Sequence, residues 1–391
     1  MKTAGFAKNP GPSLRATFPP TANAEATAHH PKNDCPAACG VGENALHPAF
    51  RHFPGAGFPV FNLFMSKHYL VTGGCGFIGS NYIRQQLRNQ PDLRITNLDA
   101  LTYAGNPENL RDVEVTAGDR YAFIHADLAH APAVAAAFES RTYDAVINFA
   151  AESHVDRSIE GPEVFVRANI TGTYNLLEAA RKNHVKRYLQ VSTDEVYGSL
   201  GETGYFTETT PIAPSSPYSA SKASADLLVL ANHHTFGQDV VVTRCSNNYG
   251  KYHYPEKLIP LMIIKAMHDE LLPVYGDGLN VRDWIHVEDH AAGIQRVLES
   301  GRAGEVYNLG ASQEWQNIDI VKLILKILGK PESLISYVKD RPGHDRRYAI
   351  DSTKTRTELN WTARRQFGEA IAETIQWYQE NEAWWRPLMK K

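Results

Sequence analysis

The sequence predicts an α/β fold in which helices cover both faces of a doubly wound parallel sheet, followed by a smaller C-terminal domain. Short apolar runs of strand type alternate with helical stretches from residue 65, and after residue 245 the alternation loosens into segments rich in Pro, Gly and Tyr. With 391 residues, 43% of them hydrophobic, the chain is long enough for two domains. We therefore expect the sheet over residues 65–245 and a mainly substrate-binding domain over residues 246–391, some segments of which return to the first domain.

The individual elements follow from length, composition and periodicity. Six short runs rich in Val, Ile, Leu, Tyr and Phe predict buried strands at residues 69–72, 94–98, 121–125, 145–149, 187–191 and 240–244. Longer stretches between them predict helices at residues 78–89, 131–139, 163–182 and 217–234. Ser216 is the expected N-cap of the last helix, and Pro217 suits its first turn.

Residues 1–64 differ from the rest of the chain. They are rich in Pro, Gly, Ala and His and contain few aliphatic residues. Such a segment buries too little apolar surface to offset its ordering entropy, and it lacks the features of a secretory signal. We predict a disordered or mis-annotated leader, with Met65 as the start of the folded protein.

Composition excludes several classes of partner. The formal net charge of -3 gives no electrostatic reason to expect nucleic acid or an anionic membrane, and no run approaches the roughly 18 apolar residues of a membrane span. Four scattered cysteines do not form a disulfide framework, which favours a reducing, cytoplasmic location. Cys35 and Cys39 lie near two histidines, but their spacing fits no zinc pattern, so no metal is expected.

A glycine-rich loop, Gly-Gly-Cys-Gly-Phe-Ile-Gly at residues 73–79, joins the first predicted strand to the first helix. Its glycines at 73, 76 and 79 allow a sharp turn, close approach to a pyrophosphate and tight helix packing. Asp99 lies 20 residues after Gly79 and can bind the adenosine ribose, which favours NAD over NADP. Asp127 and Leu128 are either adenine contacts or ordinary loop residues. The pattern predicts a Rossmann-type NAD-binding domain.

Two acids and a Tyr–Lys pair are the candidate chemical groups. Residues 192–198, Ser-Thr-Asp-Glu-Val-Tyr-Gly, follow a predicted strand and so lie at the carboxyl edge of the sheet, where such sheets bind ligands. The alternative is a polar turn with both acids in water. Tyr218 and Lys222 lie one helical turn apart, and an ammonium near a tyrosine lowers the pKa of its hydroxyl, which can then accept a substrate proton. The alternative is a packed Tyr and a solvated Lys.

These motifs resemble the extended short-chain dehydrogenase/reductase family and, within it, the dTDP-glucose 4,6-dehydratases. Beyond the glycine loop, Asp99, Tyr218 and Lys222, the resemblance rests on residues 150–158, 192–198, 245–250, 255–260, 273–284 and 341–345. It extends from Met65 almost to the C-terminus and omits the leader. The triplet at residues 193–195 indicates a dehydratase, since similar epimerases carry other residues there.

The resemblance implies a mechanism and its reactants. Tyr218, assisted by Lys222, is the base for oxidation at carbon 4 of the hexose, and Thr193 hydrogen-bonds the carbon-4 oxygen. Glu195 then removes the carbon-5 proton, while a protonated Asp194 delivers a proton to the departing carbon-6 hydroxyl. NAD is implied as a tightly held cofactor, dTDP-glucose as substrate, and a 4-keto-6-deoxy product for dTDP-rhamnose and polysaccharide biosynthesis.

The resemblance also implies binding residues and an assembly. The expected cofactor-binding residues, besides Tyr218 and Lys222, are Gly73, Gly76, Phe77, Ile78, Gly79, Asp99, Ala100, Leu101, Thr102, Asp127, Leu128, Phe149, Ala150, Ala151, Glu152, Ser153, Ala168 and Asn248. The expected substrate-binding residues are Ser153, Thr193, Asn247, Lys257, Leu258, Pro273, Val274, Tyr275, Arg282, Asn317, Asp340, Arg341, Pro342, Gly343 and His344. A homodimer is expected through the helices at 163–182 and 217–234.

Two departures and two alternatives accompany this expectation. Ala168 stands where the family often has Thr, so one cofactor hydrogen bond is expected to be missing. Cys75, inside the phosphate loop, is expected to be redox-sensitive. The alternatives are another nucleotide-sugar epimerase or decarboxylase of the same family, against which Asp194 and Glu195 argue, and a NAD-sensing binding protein.

Overall fold

The computed structural model of the chain describes residues 66–139, 141–340 and 342–390. The predicted leader, residues 1–64, lies outside these ranges, as do Met65 and Arg341. The strands are β1 His68–Thr72, β2 Arg94–Asp99, β3 Tyr121–His125, β4 Ala145–Asn148, β5 Arg187–Thr193, β6 Val240–Cys245, β7 Asn247–Tyr249, β8 Leu272–Tyr275, β9 Val281–His286, β10 Val306–Leu309, β11 Glu314–Gln316 and β12 Ile335–Val338.

Within the described ranges, seven parallel strands form the main sheet in the order β10-β6-β5-β4-β1-β2-β3. The strand order reverses between β1 and β4, so the carboxyl ends of these strands border the crevice in which doubly wound sheets bind ligands. The predicted doubly wound α/β fold is confirmed. All six predicted strands are present, with ends that differ by one or two residues, and β5 runs on into Thr193.

The helices are α1 Phe77–Asn89, α2 Arg111–Ala117, α3 Ala131–Glu139, α4 Val155–Glu160, α5 Glu163–Phe165, α6 Gly172–Lys182, α7 Pro217–Phe236, α8 Leu258–Met267, α9 Val287–Ser300, α10 Asn317–Leu328, α11 Thr353–Leu359, α12 Phe367–Glu380 and α13 Glu382–Trp385. The Ser216 side chain accepts a hydrogen bond from the backbone of Ser219, and Pro217 occupies the first turn of α7, so both predictions for this helix start are confirmed. In the described part of the chain, no helix is long and apolar enough to cross a membrane.

The predicted helix at residues 163–182 is interrupted. A π-helical segment, Val166–Thr171, separates α5 from α6. Within the π-helical segment, the Asn169 side chain bonds to two other parts of the chain. It accepts a hydrogen bond from the Glu152 backbone N–H at 2.8 Å and donates one to the Ser221 hydroxyl at 2.8 Å. Insertions of this kind are frequent at functional sites. This one ties the loop after β4 to α7.

Residues after 245 form two smaller sheets and a second apolar core. Strands β11, β9 and β7 form one sheet, and β12 pairs with β8 in the other. The core beneath them is built from α8, α10 and α12, with Ile263, Ile324 and Tyr378 fully buried. Strand β10, which the sequence analysis did not identify, pairs with β6 at the edge of the main sheet. The domain division at residues 245 and 246 stays a prediction.

Candidate active site

A cavity of about 660 Å³ lies at the carboxyl edge of the main sheet. It is bordered by the residues at and after the ends of β1, β2, β4 and β5, and on its other side by residues of β8, β9 and α10. This is the edge at which an open parallel sheet offers its ligand crevice.

The cavity brings together most of the predicted site residues. The predicted residues that line it are Gly73, Gly76, Phe77, Ile78, Gly79, Asp99, Ala100, Thr102, Asp127, Leu128, Phe149, Ala150, Ala151, Glu152, Ser153, Ala168, Thr193, Glu195, Tyr218, Lys222, Asn247, Asn248, Lys257, Leu258, Pro273, Val274, Tyr275, Arg282, Asn317 and His344. The lining does not include Leu101, Asp194, Asp340, Pro342 or Gly343.

The glycine loop forms a cradle in which side chains would not fit. Gly73 has a positive φ of 70°, and a Cβ atom there would lie 2.5 Å from the backbone nitrogen of Ala150. A Cβ atom on Gly79 would lie 2.5 Å from the carbonyl oxygen of Gly73. The loop therefore presents bare backbone at the start of α1, the arrangement that binds a pyrophosphate.

The Asp99 carboxylate shapes the end of β2. One of its oxygens accepts the backbone N–H of Cys75 at 2.8 Å, and the other accepts that of Leu101 at 2.8 Å. Each oxygen retains acceptor capacity for a hydroxyl group. Burial raises the pKa of Asp99, and the two backbone N–H groups act against that rise. Together with the glycine cradle, this carboxylate fits a ribose and pyrophosphate of NAD.

Asp127 already has partners on both oxygens. It accepts the Ala129 backbone N–H at 2.8 Å, and the guanidinium of Arg167 lies 2.6 Å from its other oxygen. It still lines the cavity, so the adenine contact remains an open prediction.

The triplet at residues 193–195 turns directly out of β5. Thr193 caps a short 3₁₀ helix, Asp194–Tyr197, and its hydroxyl oxygen accepts the Glu195 backbone N–H at 3.2 Å. The turn sends the two acids in different directions, since Glu195 lines the cavity whereas Asp194 is only 2% exposed. The family resemblance implied different protonation states for these adjacent carboxyl groups, and the structure gives them different environments.

Asp194 has the environment of a protonated acid. Burial raises the pKa of this carboxyl well above its usual range, and the negative charges of Glu195 and Asp283 raise it further. Its Oδ2 atom has no hydrogen-bond partner among the described residues, while the Thr193 hydroxyl lies 3.3 Å from Oδ1. A neutral carboxyl group can donate a proton at neutral pH.

Tyr218 and Lys222 lie on one face of α7, but the predicted lowering of the tyrosine pKa is wrong for the chain by itself. Burial raises the pKa of Tyr218, and the charge of Glu195 raises it further, whereas the Thr193 hydroxyl lowers it. Lys222 Nζ donates to the carbonyl oxygen of Val191 at 2.7 Å, and burial lowers its pKa. The ammonium is thus anchored to the strand that carries the triplet.

The opposite side of the cavity carries long basic side chains held by carbonyl groups. Arg282 is 5% exposed, donates to the carbonyl oxygen of Asp345 at 2.9 Å, and its guanidinium lies 4.2 Å from the Tyr348 ring centroid. Lys257 Nζ donates to the Ser153 carbonyl at 3.0 Å.

Asp340 does not line the cavity, although it was predicted to bind substrate. Its carboxylate lies 2.6 Å from Nδ1 of His344, which does line the cavity.

Comparisons with known proteins agree with this geometry. The sequence profile of the GDP-mannose 4,6 dehydratase family matches residues 70–374. The chain is 53% identical over 334 residues to the dTDP-glucose 4,6-dehydratase of Xanthomonas campestris pv. campestris, a match that covers 81% of this chain and 94% of that protein. It is 50% identical over 340 residues to dTDP-glucose 4,6-dehydratase 1 of Escherichia coli, covering 81% and 93%.

The chain belongs to the dTDP-glucose 4,6-dehydratase family.

A solved structure gives the same result. DesIV, a dTDP-glucose 4,6-dehydratase from Streptomyces venezuelae crystallised with NAD bound, is 47% identical with a TM-score of 0.79, and the match covers 82% of this chain and 99% of that one. The chain is therefore an enzyme of this family, and the cavity is its candidate active site.

Cys75 does not have the environment of a reactive thiol. It is 1% exposed, and burial raises the pKa of its thiol to about 12. Because the thiolate is the reactive form, the expected redox sensitivity is wrong. Ala168, the other departure, lines the cavity and offers no side-chain hydrogen bond.

Several lining residues were not singled out from the sequence. The cavity is also lined by two pairs of residues in contact, Tyr103 with Tyr254 and His154 with Glu256. Glu256 and its neighbours stand inside a motif that carried the family resemblance, which was the available signal. Nothing in their spacing showed that they would meet Tyr103.

Proposed function

We propose that this chain is a NAD-dependent hydro-lyase that converts dTDP-glucose to dTDP-4-keto-6-deoxy-glucose. The observation that carries the proposal is the separation of two adjacent acids, with Glu195 in the cavity and Asp194 buried with a raised pKa behind it. An epimerase that only oxidises and reduces carbon 4 has no use for such a pair.

The cofactor site is proposed around the glycine cradle and Asp99. When bound there, NAD supplies hydride transfer at carbon 4 and hydride return at carbon 6. The Asp99 carboxylate would accept hydrogen bonds from the ribose hydroxyls and would repel a 2′-phosphate, which favours NAD over NADP. The fit rests on the bare backbone at Gly73 and Gly79 and on the acceptor capacity left on the carboxylate.

The residues of β5 and α7 would then move the protons. Tyr218 Oη would take the proton of the carbon-4 hydroxyl. Burial raises the pKa of this tyrosine in the chain by itself, so the phenolate would depend on Lys222, fixed to the Val191 carbonyl, together with the positive charge of a bound nicotinamide ring. Thr193 Oγ1 hydrogen-bonds the carbon-4 oxygen. The carbon-4 ketone acidifies the carbon-5 proton, which Glu195 removes.

Asp194 would complete the elimination. Its proton passes to the carbon-6 hydroxyl, which leaves as water, and Glu195 returns its proton to carbon 5 as carbon 6 is reduced. Tyr218 then releases to solvent the proton that it took from the carbon-4 hydroxyl, and Asp194 takes one up, so both groups return to their starting states. The net change is the loss of one water molecule. Each positioned proton transfer contributes about 10²–10⁴ in rate.

The nucleotide diphosphate is proposed to lie against the side of the cavity opposite the main sheet, called the loop side below. Arg282 and Lys257 supply positive charge for the diphosphate, and an arginine fork binds phosphate oxygens in pairs. Pro273–Tyr275 would contact the base, with Asn247, Asn317 and His344 nearby. The structure does not describe Arg341, whose substrate contact stays a prediction.

We also propose a homodimer formed by α5–α6 and α7, and a cytoplasmic location. These helices carry large apolar side chains that are exposed to solvent, with exposed fractions of 53% for Val164, 54% for Tyr174 and 57% for Leu227. Apolar surface of this kind is typical of a protein interface. Sedimentation as a monomer at micromolar concentration would contradict the dimer.

The test of the activity is incubation of the purified protein with dTDP-glucose and no added NAD, followed by mass spectrometry of the products. We expect the loss of one water and a 4-keto product, which would also show that the cofactor is retained. An unchanged mass with a new stereoisomer would mean an epimerase. No reaction, even with NAD added, would favour a different nucleotide sugar or a binding role.

A further inference from the structure

A seven-residue segment between β7 and α8 forms one wall of the cavity. This segment, residues 251–257 with the sequence Lys-Tyr-His-Tyr-Pro-Glu-Lys, is called the strap below. Its residues His253, Tyr254, Glu256 and Lys257 line the cavity. The strap has no regular secondary structure, so side-chain contacts must hold it in place.

The first half of the strap is fixed to the helix that follows the glycine loop. The Asn81 amide donates to the Lys251 carbonyl at 3.0 Å. The ring of His253 stacks on that of Phe77 with centroids 4.2 Å apart and an interplanar angle of 13°. These contacts place the strap directly beside the proposed pyrophosphate site.

The second half contacts α4, the residue before it, and the loop after β2. Arg157 Nη2, in α4, lies 3.2 Å from Glu256 Oε2, and His154 Nε2 lies 3.7 Å from Glu256 Oε1. The Arg157 guanidinium also lies 4.2 Å from the ring centroid of Tyr103, in the loop after β2. The Tyr103 ring in turn meets Tyr254 edge-on at 5.6 Å.

These residues form a closed chain of contacts that joins the loops after β2 and β4 to the strap. The Tyr103 hydroxyl lies 3.3 Å from Ser153 Oγ, and Lys257 grips the Ser153 carbonyl, so both ends of the chain meet at Ser153. The exposed fractions of the Arg157 and Glu256 side chains are 46% and 21%. Because water reaches the Arg157 end of the ion pair, the pair adds little to the stability of the fold, which points away from a purely structural role.

We propose that Arg157 and Glu256, with Tyr103 between them, are positioning residues that close the strap over the bound cofactor and set the rate at which it leaves. The inference rests on the proposed function, in which the hydride taken from carbon 4 must return to the same substrate. If the reduced cofactor left before that return, the substrate would remain oxidised at carbon 4 and the cycle would stop. Contacts that hold a segment over a bound cofactor prevent this loss when they break only rarely.

The test measures NAD release from the purified holoenzyme. The variants are Arg157→Gln, Glu256→Gln, the double variant, and the charge-swapped pair Arg157→Glu with Glu256→Arg. Arg302→Gln is the matched control, because Arg302 forms an ion pair with Glu358 at 2.8 Å and is 63% exposed. Released NAD is quantified by chromatography after dilution, and thermal unfolding of each apo-protein reports on folding.

We expect each single variant to release NAD about three- to fivefold faster than the parent, with an unchanged apo-protein melting temperature. The double variant should be no faster than the faster single variant, because both lose one shared contact, and the charge swap should restore part of the retention. Arg302→Gln should behave as the parent.

Release rates within about twofold of the parent for both single variants would overturn the proposal, as would fully multiplicative effects in the double variant. Failure of the proposed function would look different. A parent protein that does not turn over dTDP-glucose even with NAD added contradicts that function, whereas a parent that retains NAD, with variants that do so equally well, contradicts only the role of the strap.

Discussion

The two sides of the cavity are built by different means. On the sheet side, at the carboxyl ends of β1, β2, β4 and β5, the lining consists mainly of backbone and short side chains, such as Gly73, Asp99 and Thr193. On the loop side, long side chains such as Lys257 and Arg282 reach inward and are fixed by carbonyl oxygens. The sheet side therefore depends on backbone shape, and the loop side on individual charged groups. We expect substitutions on the first side to alter binding and folding together, and those on the second to alter binding alone.

The largest effect is expected at the buried acid behind the sheet side. In Asp194→Asn the amide cannot deliver a proton to the carbon-6 hydroxyl, so turnover of dTDP-glucose should fall by about 10²–10⁴-fold. Oxidation at carbon 4 should persist, and a transient absorbance of reduced nicotinamide would report it. Asp92→Asn, at an exposed position, is the control. A loss of less than about tenfold would remove Asp194 from the proposed chemistry.

Gly73→Ala tests whether backbone shape governs the sheet side. The added Cβ would lie 2.5 Å from the Ala150 nitrogen, so the loop must shift and NAD content should fall below detection. Gly329→Ala is the control, because Gly329 has a similar φ of 65° and open space around its Cβ position. That control should cost about 1 kcal/mol in the free energy of unfolding and leave NAD content unchanged. Equal NAD content in both variants would show that positive φ alone, and not the cradle, matters.

Arg282→Lys tests the loop side. Lysine keeps the charge but loses the paired hydrogen bonds of a guanidinium and its contact with the Tyr348 ring. We expect KM for dTDP-glucose to rise about tenfold with kcat and thermal stability nearly unchanged. Arg346→Lys, at an exposed ion pair with Asp277, should leave KM as it is. A fall in stability that matches the loss of binding would mean that both sides of the cavity depend on packing.

The smallest effect is a pH dependence of stability that arises from Asp194. Its pKa is raised in the folded chain, whereas in the unfolded chain the group ionises near 3.8. Between these two values the folded state binds more protons, so the free energy of unfolding falls as pH rises above about 4, by at most about 1.4 kcal/mol per pH unit. Asp194→Asn removes this slope and should be the more stable protein at neutral pH. Urea unfolding at a series of pH values measures it, and parallel curves for the two proteins would contradict the raised pKa.

Much of the sheet side could be predicted because its signals are local. A glycine loop between strand and helix, an acid at the end of the next strand and a capped helix start each depend on residues within a few positions of one another, and the backbone follows from them. For the same reason the strands were predicted to within one or two residues. The helix at residues 163–182 was predicted as regular because its π segment depends on Asn169 reaching Glu152 and Ser221, 17 and 52 residues away.

The sequence by itself determined which chemical groups this protein has: a glycine-rich loop between strand and helix, an acid at the end of the second strand, a Tyr–Lys pair and two adjacent carboxyl groups. The family resemblance implied a protonated Asp194, but only the tertiary structure decided the burial and the partners that shift the pKa values of those groups. Asp194 is buried next to Glu195 while Asp283, on β9, adds its charge, and burial raises the pKa of Tyr218 against the effect expected from Lys222. The contacts of Tyr103, Arg157 and Glu256 likewise join segments that are distant in the chain. Solvent exclusion and long-range charge depend on what packs around a residue, and spacing in the sequence does not contain that information.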